Sequence, residues 1–110
     1  MQVHDSTTLF SQDSDTFAAA QVALAEREAR DRGWWHVMSR CFSPESRVEF
    51  SWFQGSGADF VTASQKMRAD GVSSRHRLGP PIVHRLDNRA VVVLPAAIEL
   101  YPTGVRPGRP

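Results

Sequence analysis

Apolar and polar positions divide the chain into helical stretches first and extended stretches afterwards. Over 15–32 the spacing predicts a helix in which Phe17, Leu24 and Asp31 lie a heptad apart on one face, with Ala20 beside them. Asp31 therefore continues the apolar stripe, while Glu26, Arg27 and Arg30 fall on the solvated one. Ser14 or Asp15 can accept the first free amide hydrogens, Asp13 and Asp15 suit the positive end of the macrodipole, and Gly33 is the left-handed stop. A short second helix follows over 34–42, where Trp34, Val37, Met38, Cys41 and Phe42 make one face and Ser43-Pro44 ends it.

At 46–53 the period drops to two. Val48, Phe50 and Trp52 alternate with Arg47, Glu49 and Ser51, the pattern of a half-buried strand. Gly55-Ser56-Gly57 turns the chain into a third helix over 57–70. Ser56 and Asp59 form a capping box there, Phe60, Ala63, Ser64 and Met67 form its apolar face, and Gly71 closes it. Two long strands follow, over 73–86 and 89–101, antiparallel through a tight turn at Asp87-Asn88. Gly79-Pro80-Pro81 bends or bulges the first, since two prolines cannot donate to a ladder, and Pro95 interrupts the second. Residues 1–13 read as a flexible leader and 102–110 as a disordered tail.

The order is thus ααβαββ, an α+β domain over 14–101. Its 110 residues allow one hydrophobic core. A formal charge of +1 gives no global attraction to nucleic acid or to anionic membranes. No apolar run approaches the ~20 residues of a membrane span. The start has no signal-peptide pattern, so the expected location is cytoplasmic. The single Cys41 lies in an apolar helical pattern and reads as a buried, inert thiol. No His-x-His, cysteine pair or carboxylate cluster has metal-ligand spacing, so neither metal nor cofactor is expected.

One acid–base pair emerges. His76, set between Arg75 and Arg77, alternates inward with Leu78, and Asp31 ends the buried stripe of the first helix. An imidazole shuttles protons near neutral pH when a carboxylate fixes its tautomer or raises its basicity. His84 shares the parity of His76, but the intervening prolines break the register, and His4 and His36 read as leader and helix-surface residues. Trp34, Trp52 and Phe50 are the candidate contacts to an apolar substrate. Tryptophans are more often core, and core is expected for at least two of Trp34, Trp35 and Trp52. Arg75, Arg77, Arg85 and Arg89 read as a solvated face without the interleaved aromatics that would stack bases.

A series of motifs in order resembles the SnoaL-like branch of the nuclear transport factor two superfamily. These are Asp31-Arg32-Gly33-Trp34-Trp35, the run from Arg40 to Val48, and the run from Ser51 to Phe60. To them are added Arg75-His76-Arg77-Leu78-Gly79-Pro80-Pro81 and Asn88-Arg89-Ala90-Val91, so that the resemblance covers about residues 15–101. It implies a cone-shaped, strongly curved antiparallel sheet wrapped around a long first helix, with a pocket in its mouth. Members include polyketide cyclases, scytalone dehydratase, steroid isomerases, epoxide hydrolases and non-catalytic binding domains.

In scytalone dehydratase-like members an aspartate at the helix junction pairs with pocket histidines, one of them in a His-aromatic-aliphatic-Gly stretch. Asp31 and His76 match those positions, with Arg77 in place of the aromatic residue. The family's tyrosine position holds Glu26, and its second pocket histidine falls at about Leu100 or Tyr101. Further long strands complete the cone in family members, whereas here Thr103 to Pro110 ends the chain and Val91-Val92-Val93-Leu94 forms an apolar edge.

The expected function is that of a small-molecule pocket protein. It would perform dehydratase-, isomerase- or cyclase-type acid–base catalysis on a small hydrophobic substrate through His76 and Asp31. The alternatives are a non-catalytic ligand-binding or dimerisation domain, or an inactive truncated family member. A homodimer or edge-mediated self-association is expected, and neither nucleic acid nor membrane is an expected partner.

Overall fold

A computed structural model describes residues 6–103, with side chains from residue 14 onward. Its first helix, α1 (Ser6–Arg32), is built on an alanine-rich run, the residue type with the highest helix propensity. It begins earlier than expected and takes up residues 6–13, which the sequence assigned to a leader; residues 1–5 lie outside the described part. Gly33, at φ 74°, ends α1 as expected. The Trp34 N–H donates to the Ala29 carbonyl at 2.8 Å, the six-to-one bond of a Schellman stop. The short helix α2 (Trp35–Ser39) follows at once and lays Met38 against Ala29, both fully buried.

The expected single strand over 46–53 is two strands. Strands β1 (Arg47–Phe50) and β2 (Phe53–Ser56) pair antiparallel with Phe50 opposite Phe53, so Ser51 and Trp52 form a two-residue turn. The turn brings Phe50, Trp52 and Phe53 together against Phe60, with ring centroids 5.2, 5.8 and 5.4 Å away. Alternation along a straight strand would have separated Phe53 from the other two. Helix α3 (Gly57–Ala69) starts directly after β2, where Ser56 Oγ accepts from the Asp59 N–H at 3.0 Å. Phe60, Val61, Met38 and Ala29 make the core, and Trp35, Phe42, Val48 and Phe53 pack around it.

Four strands follow among the described residues: β3 (Val72–Leu78), β4 (Ile82–Leu86), β5 (Arg89–Val93) and β6 (Ala96–Pro102). β3 pairs with β6 from Val72 opposite Pro102 to Leu78 opposite Ala96, and β4 pairs with β5 around the Asp87-Asn88 turn. Asp87 takes φ 54° at that turn. Together they are one long antiparallel hairpin, interrupted where Gly79-Pro80-Pro81 faces Leu94-Pro95. Three residues opposite two is the count of a bulge, and the Gly79 N–H spans it to the Pro95 carbonyl at 2.8 Å. At the base of the hairpin the Thr103 N–H donates to the Gly71 carbonyl at 2.8 Å.

The class is α+β with antiparallel strands, in the order ααββαββββ. The curved cone is not formed: among the described residues the sheets are two-stranded, and β1–β2 does not hydrogen-bond to the long hairpin. The hairpin instead lies along α1, where Arg85 of β4 pairs with Asp15 at 3.0 Å.

The burial of α1 also differs from the heptad reading. Phe17 is exposed, whereas Glu26 is buried and Arg30 nearly so, because α2, α3 and the β1–β2 turn close over the latter side. No helix among the described residues is long and apolar enough to cross a membrane.

Candidate functional site

The junction that ends α1 fixes Asp31. Its backbone carbonyl, one of those left free at a helix C-terminus, accepts from Arg68 Nη1 of α3 at 2.8 Å. The Arg68 side chain lies over Gly33, where an added Cβ would meet its Nε at 3.2 Å. The Asp31 carboxylate then reaches strand β3. Oδ2 accepts from the His76 backbone N–H at 2.6 Å, while Oδ1 is 2.6 Å from His76 Nδ1 and accepts from Ser74 Oγ at 2.8 Å. Ser74 and His76 share a face by the two-residue period of a strand, which is how one carboxylate engages both.

These contacts define the state of the ring. A carboxylate accepts and does not donate, so Nδ1 carries the proton and Nε2 is left with its lone pair. Nε2 has no hydrogen-bond partner among the described residues. The His76 side chain is only 6% exposed. Burial lowers its pKa from the ordinary histidine value, the bond and charge of Asp31 act against that shift, and the charges of Arg30 and Arg27 add to it. The imidazole is therefore neutral at neutral pH, with a free base at Nε2.

His76 lines a cavity of about 600 Å³, of the size of small-molecule sites. Its apolar walls are Trp35, Phe50 and Trp52 on one side and Met67, Ile98 and Leu100 on others. Arg27, Arg30 and Arg68 supply cations, and Ser64, Ser73 and Ser74 supply hydroxyls. Asp31 stands behind the His76 ring and not in the lining.

Of the three expected substrate contacts, Phe50 and Trp52 line this cavity, 41% and 52% exposed. Trp34 does not: it is 48% exposed, with the Arg32 guanidinium 5.1 Å above its ring. The expectation that at least two tryptophans are core is not met: Trp35 is half-buried against the core, whereas Trp34 is exposed and Trp52 meets Phe60 with one side of its ring while the rest stays open. His84 and His36 are exposed, and His4 lies outside the described residues. Cys41 is half-buried and bonds the Val37 carbonyl; burial, with the charge of Glu26, pushes its thiol pKa up, away from reactivity.

Sequence reasoning missed the polar cluster beside the pair. Glu26, placed on the solvated face, is buried with Oε1 accepting from Arg27 Nη1 and, at 3.1 Å, from Arg30 Nη2. The Arg30 guanidinium lies 4.9 Å above the Phe60 ring and 5.7 Å above that of Phe50. Burial lowers the pKa of Arg30; Glu26 counters that most strongly. One signal was available for Arg27: it stands one helical turn before Asp31, on the same side. Among the described residues no three of His, Cys, Asp and Glu converge to hold a metal ion.

Comparison with known proteins finds no family model, no curated protein and no solved structure that matches this chain.

Proposed function

We propose that this chain is a small-molecule pocket protein that performs acid–base catalysis on a small hydrophobic substrate, of the dehydration, isomerisation or cyclisation type. The observation that carries this reading is the Asp31–His76 pair at the cavity wall. A half-buried carboxylate holds both the ring Nδ1 and the backbone N–H of the same histidine, leaving Nε2 as a base. The resemblance to SnoaL-like proteins, in which an aspartate after the first helix pairs with a pocket histidine, supports the same assignment.

Nε2 takes a proton from an acidic carbon or hydroxyl of the substrate. Asp31 stabilises the imidazolium that forms, which then returns the proton to the leaving or neighbouring atom.

The test is deuterium exchange at the α-carbon of 2-tetralone in D₂O, followed by NMR. The wild type should accelerate exchange and His76→Gln should not; equal rates for the two proteins would overturn the assignment.

A second reading, self-association through the long hairpin, is favoured by a separate observation. Ile82, Leu86, Val91 and Val93 are exposed on β4 and β5, Leu86 by 68%. Each strand of the hairpin has one unpaired edge among the described residues. Sedimentation equilibrium should show dimers or larger species in the wild type, reduced in Val91→Lys; a wild-type monomer at all concentrations excludes this reading.

A further inference from the structure

The α1 side of the cavity holds more positive charge than its own residues neutralise. Three guanidinium groups line it, those of Arg27, Arg30 and Arg68. The carboxylates in contact with them or with the candidate base are Glu26 and Asp31. With His76 neutral, one cation is in excess among these groups. The excess lies on the wall formed by Arg27 and Arg30, because Asp31 is engaged by β3 and Glu26 is shared between those two arginines.

Three polar atoms next to that wall are buried without a hydrogen-bond partner among the described residues: Arg30 Nε, Ser64 Oγ and Glu26 Oε2. Ser64 is only 7% exposed and lines the cavity, one turn along α3 from Phe60, on whose ring the Arg30 guanidinium rests. A buried hydroxyl without a partner is costly in a folded protein unless a ligand or water completes it. Glu26, whose free oxygen would repel an anion, does not line the cavity.

We infer that the substrate of this cavity carries one carboxylate on an apolar body, and that Arg27, Arg30 and the Ser64 hydroxyl receive the carboxylate. The inference deepens the pocket reading above and rests on it. A carboxylate matches the observations in three ways. Its single charge equals the excess, its planar pair of oxygens fits a guanidinium fork, and Ser64 donates the third bond. The apolar body lies against Phe50, Trp52 and Ile98, which makes the ligand an amphiphile and excludes small polar acids.

The experiment compares 1-naphthoate with 1-naphthalenemethanol, which have the same apolar body with and without charge, by quenching of tryptophan fluorescence. On the wild type at low salt the naphthoate should bind about tenfold more tightly, a factor that corresponds to ~1.4 kcal/mol. Added sodium chloride should narrow the gap, leaving the alcohol unaffected. Arg27→Gln and Arg30→Gln should each remove most of the preference without weakening the alcohol. The salt titration needs no variant, so it decides the matter even where Arg30→Gln does not fold.

Equal binding of the two probes with no salt dependence would overturn the carboxylate inference and leave the pocket reading in place. Binding of neither probe would overturn both.

Discussion

Replacing Asp31 by asparagine tests the arrangement at its centre, because the change alters charge and donor pattern while keeping shape. The carboxylate accepts three bonds from β3. An asparagine side chain has one accepting oxygen and one donating NH₂. The backbone N–H of His76 cannot become an acceptor, so the asparagine oxygen must stay on it and the NH₂ must take the place of Oδ1. The Ser74 hydroxyl can rotate to accept. The ring can accept at Nδ1 only by moving its proton to Nε2. The variant therefore folds with the opposite tautomer, and the lone pair leaves the cavity.

The energetic cost follows from the same geometry. Bonds to a charged acceptor contribute about 1.5–3 kcal/mol and neutral ones about 0.5–1.5, so the substitution should lower stability by ~1–3 kcal/mol in total. The His76 pKa should fall further, since the bond and charge of Asp31 are what raise it while burial, Arg30 and Arg27 continue to lower it. Nitrogen-15 NMR of the imidazole ring reads both quantities. In the wild type the neutral ring should carry its proton on Nδ1, in Asp31→Asn on Nε2, with a lower titration midpoint. Identical tautomers and titration curves would show that the two side chains are not a pair.

Further outcomes follow from burial and contact geometry. Phe60→Ala removes a ring that is 1% exposed and surrounded by aromatic neighbours; a loss of about 3–5 kcal/mol in urea melts is expected, and a loss below ~1 would mean that Phe60 is not the centre of the core. Gly57→Ala places a Cβ 2.4 Å from Ser46 Oγ and 2.5 Å from Phe42 Cβ, so it should destabilise by ~1–3 kcal/mol although alanine is the better helix former, and an unchanged melting temperature would refute the close approach. His76 also makes stability depend on pH. The unfolded chain binds the proton at about pH 6.5 while the folded ring, with its lowered pKa, does not, so stability should decline as pH falls from about 6.5 to the folded value and level off below it. Urea melts of the wild type minus those of His76→Gln isolate that slope, and a difference independent of pH would contradict the buried neutral ring.

The elements that could be read from the sequence are those set by local chemistry. Gly33, the Ser56 cap and the Asp87-Asn88 turn each depend on a few adjacent residues, and each stands where its residue types demand. The inward parity of His76 was readable for the same reason, since Arg75 and Arg77 on either side seek water. The β1–β2 turn was not. Ser51-Trp52 contains no glycine, asparagine or proline, and it forms because doubling the strand back brings Phe50, Trp52 and Phe53 onto one phenylalanine of α3. That gain is tertiary, and a periodic pattern carries no trace of it. Whether β1–β2 joins the long hairpin in one sheet is equally non-local, so the cone expected from resemblance had no test within the pattern of residues.

The misreading of α1 has a more specific cause, and it bears on function. Glu26 and Arg30 stand four residues apart with opposite charge, the usual mark of a solvated helix face. Here the pair is buried because Phe50 and Phe60 supply an aromatic surface that a guanidinium can rest on. Such burial leaves Arg30 Nε and Glu26 Oε2 without partners, an arrangement that weakens the fold wherever no ligand completes it. Asp31 follows Arg30 directly, at the point where Gly33 and Arg68 lock the end of the helix. One rigid helix end thus orients both the carboxylate that holds His76 and the arginine that faces the cavity. A ligand anchored on Arg30 would be positioned relative to His76 by the same turn of helix, without any moving part between the two.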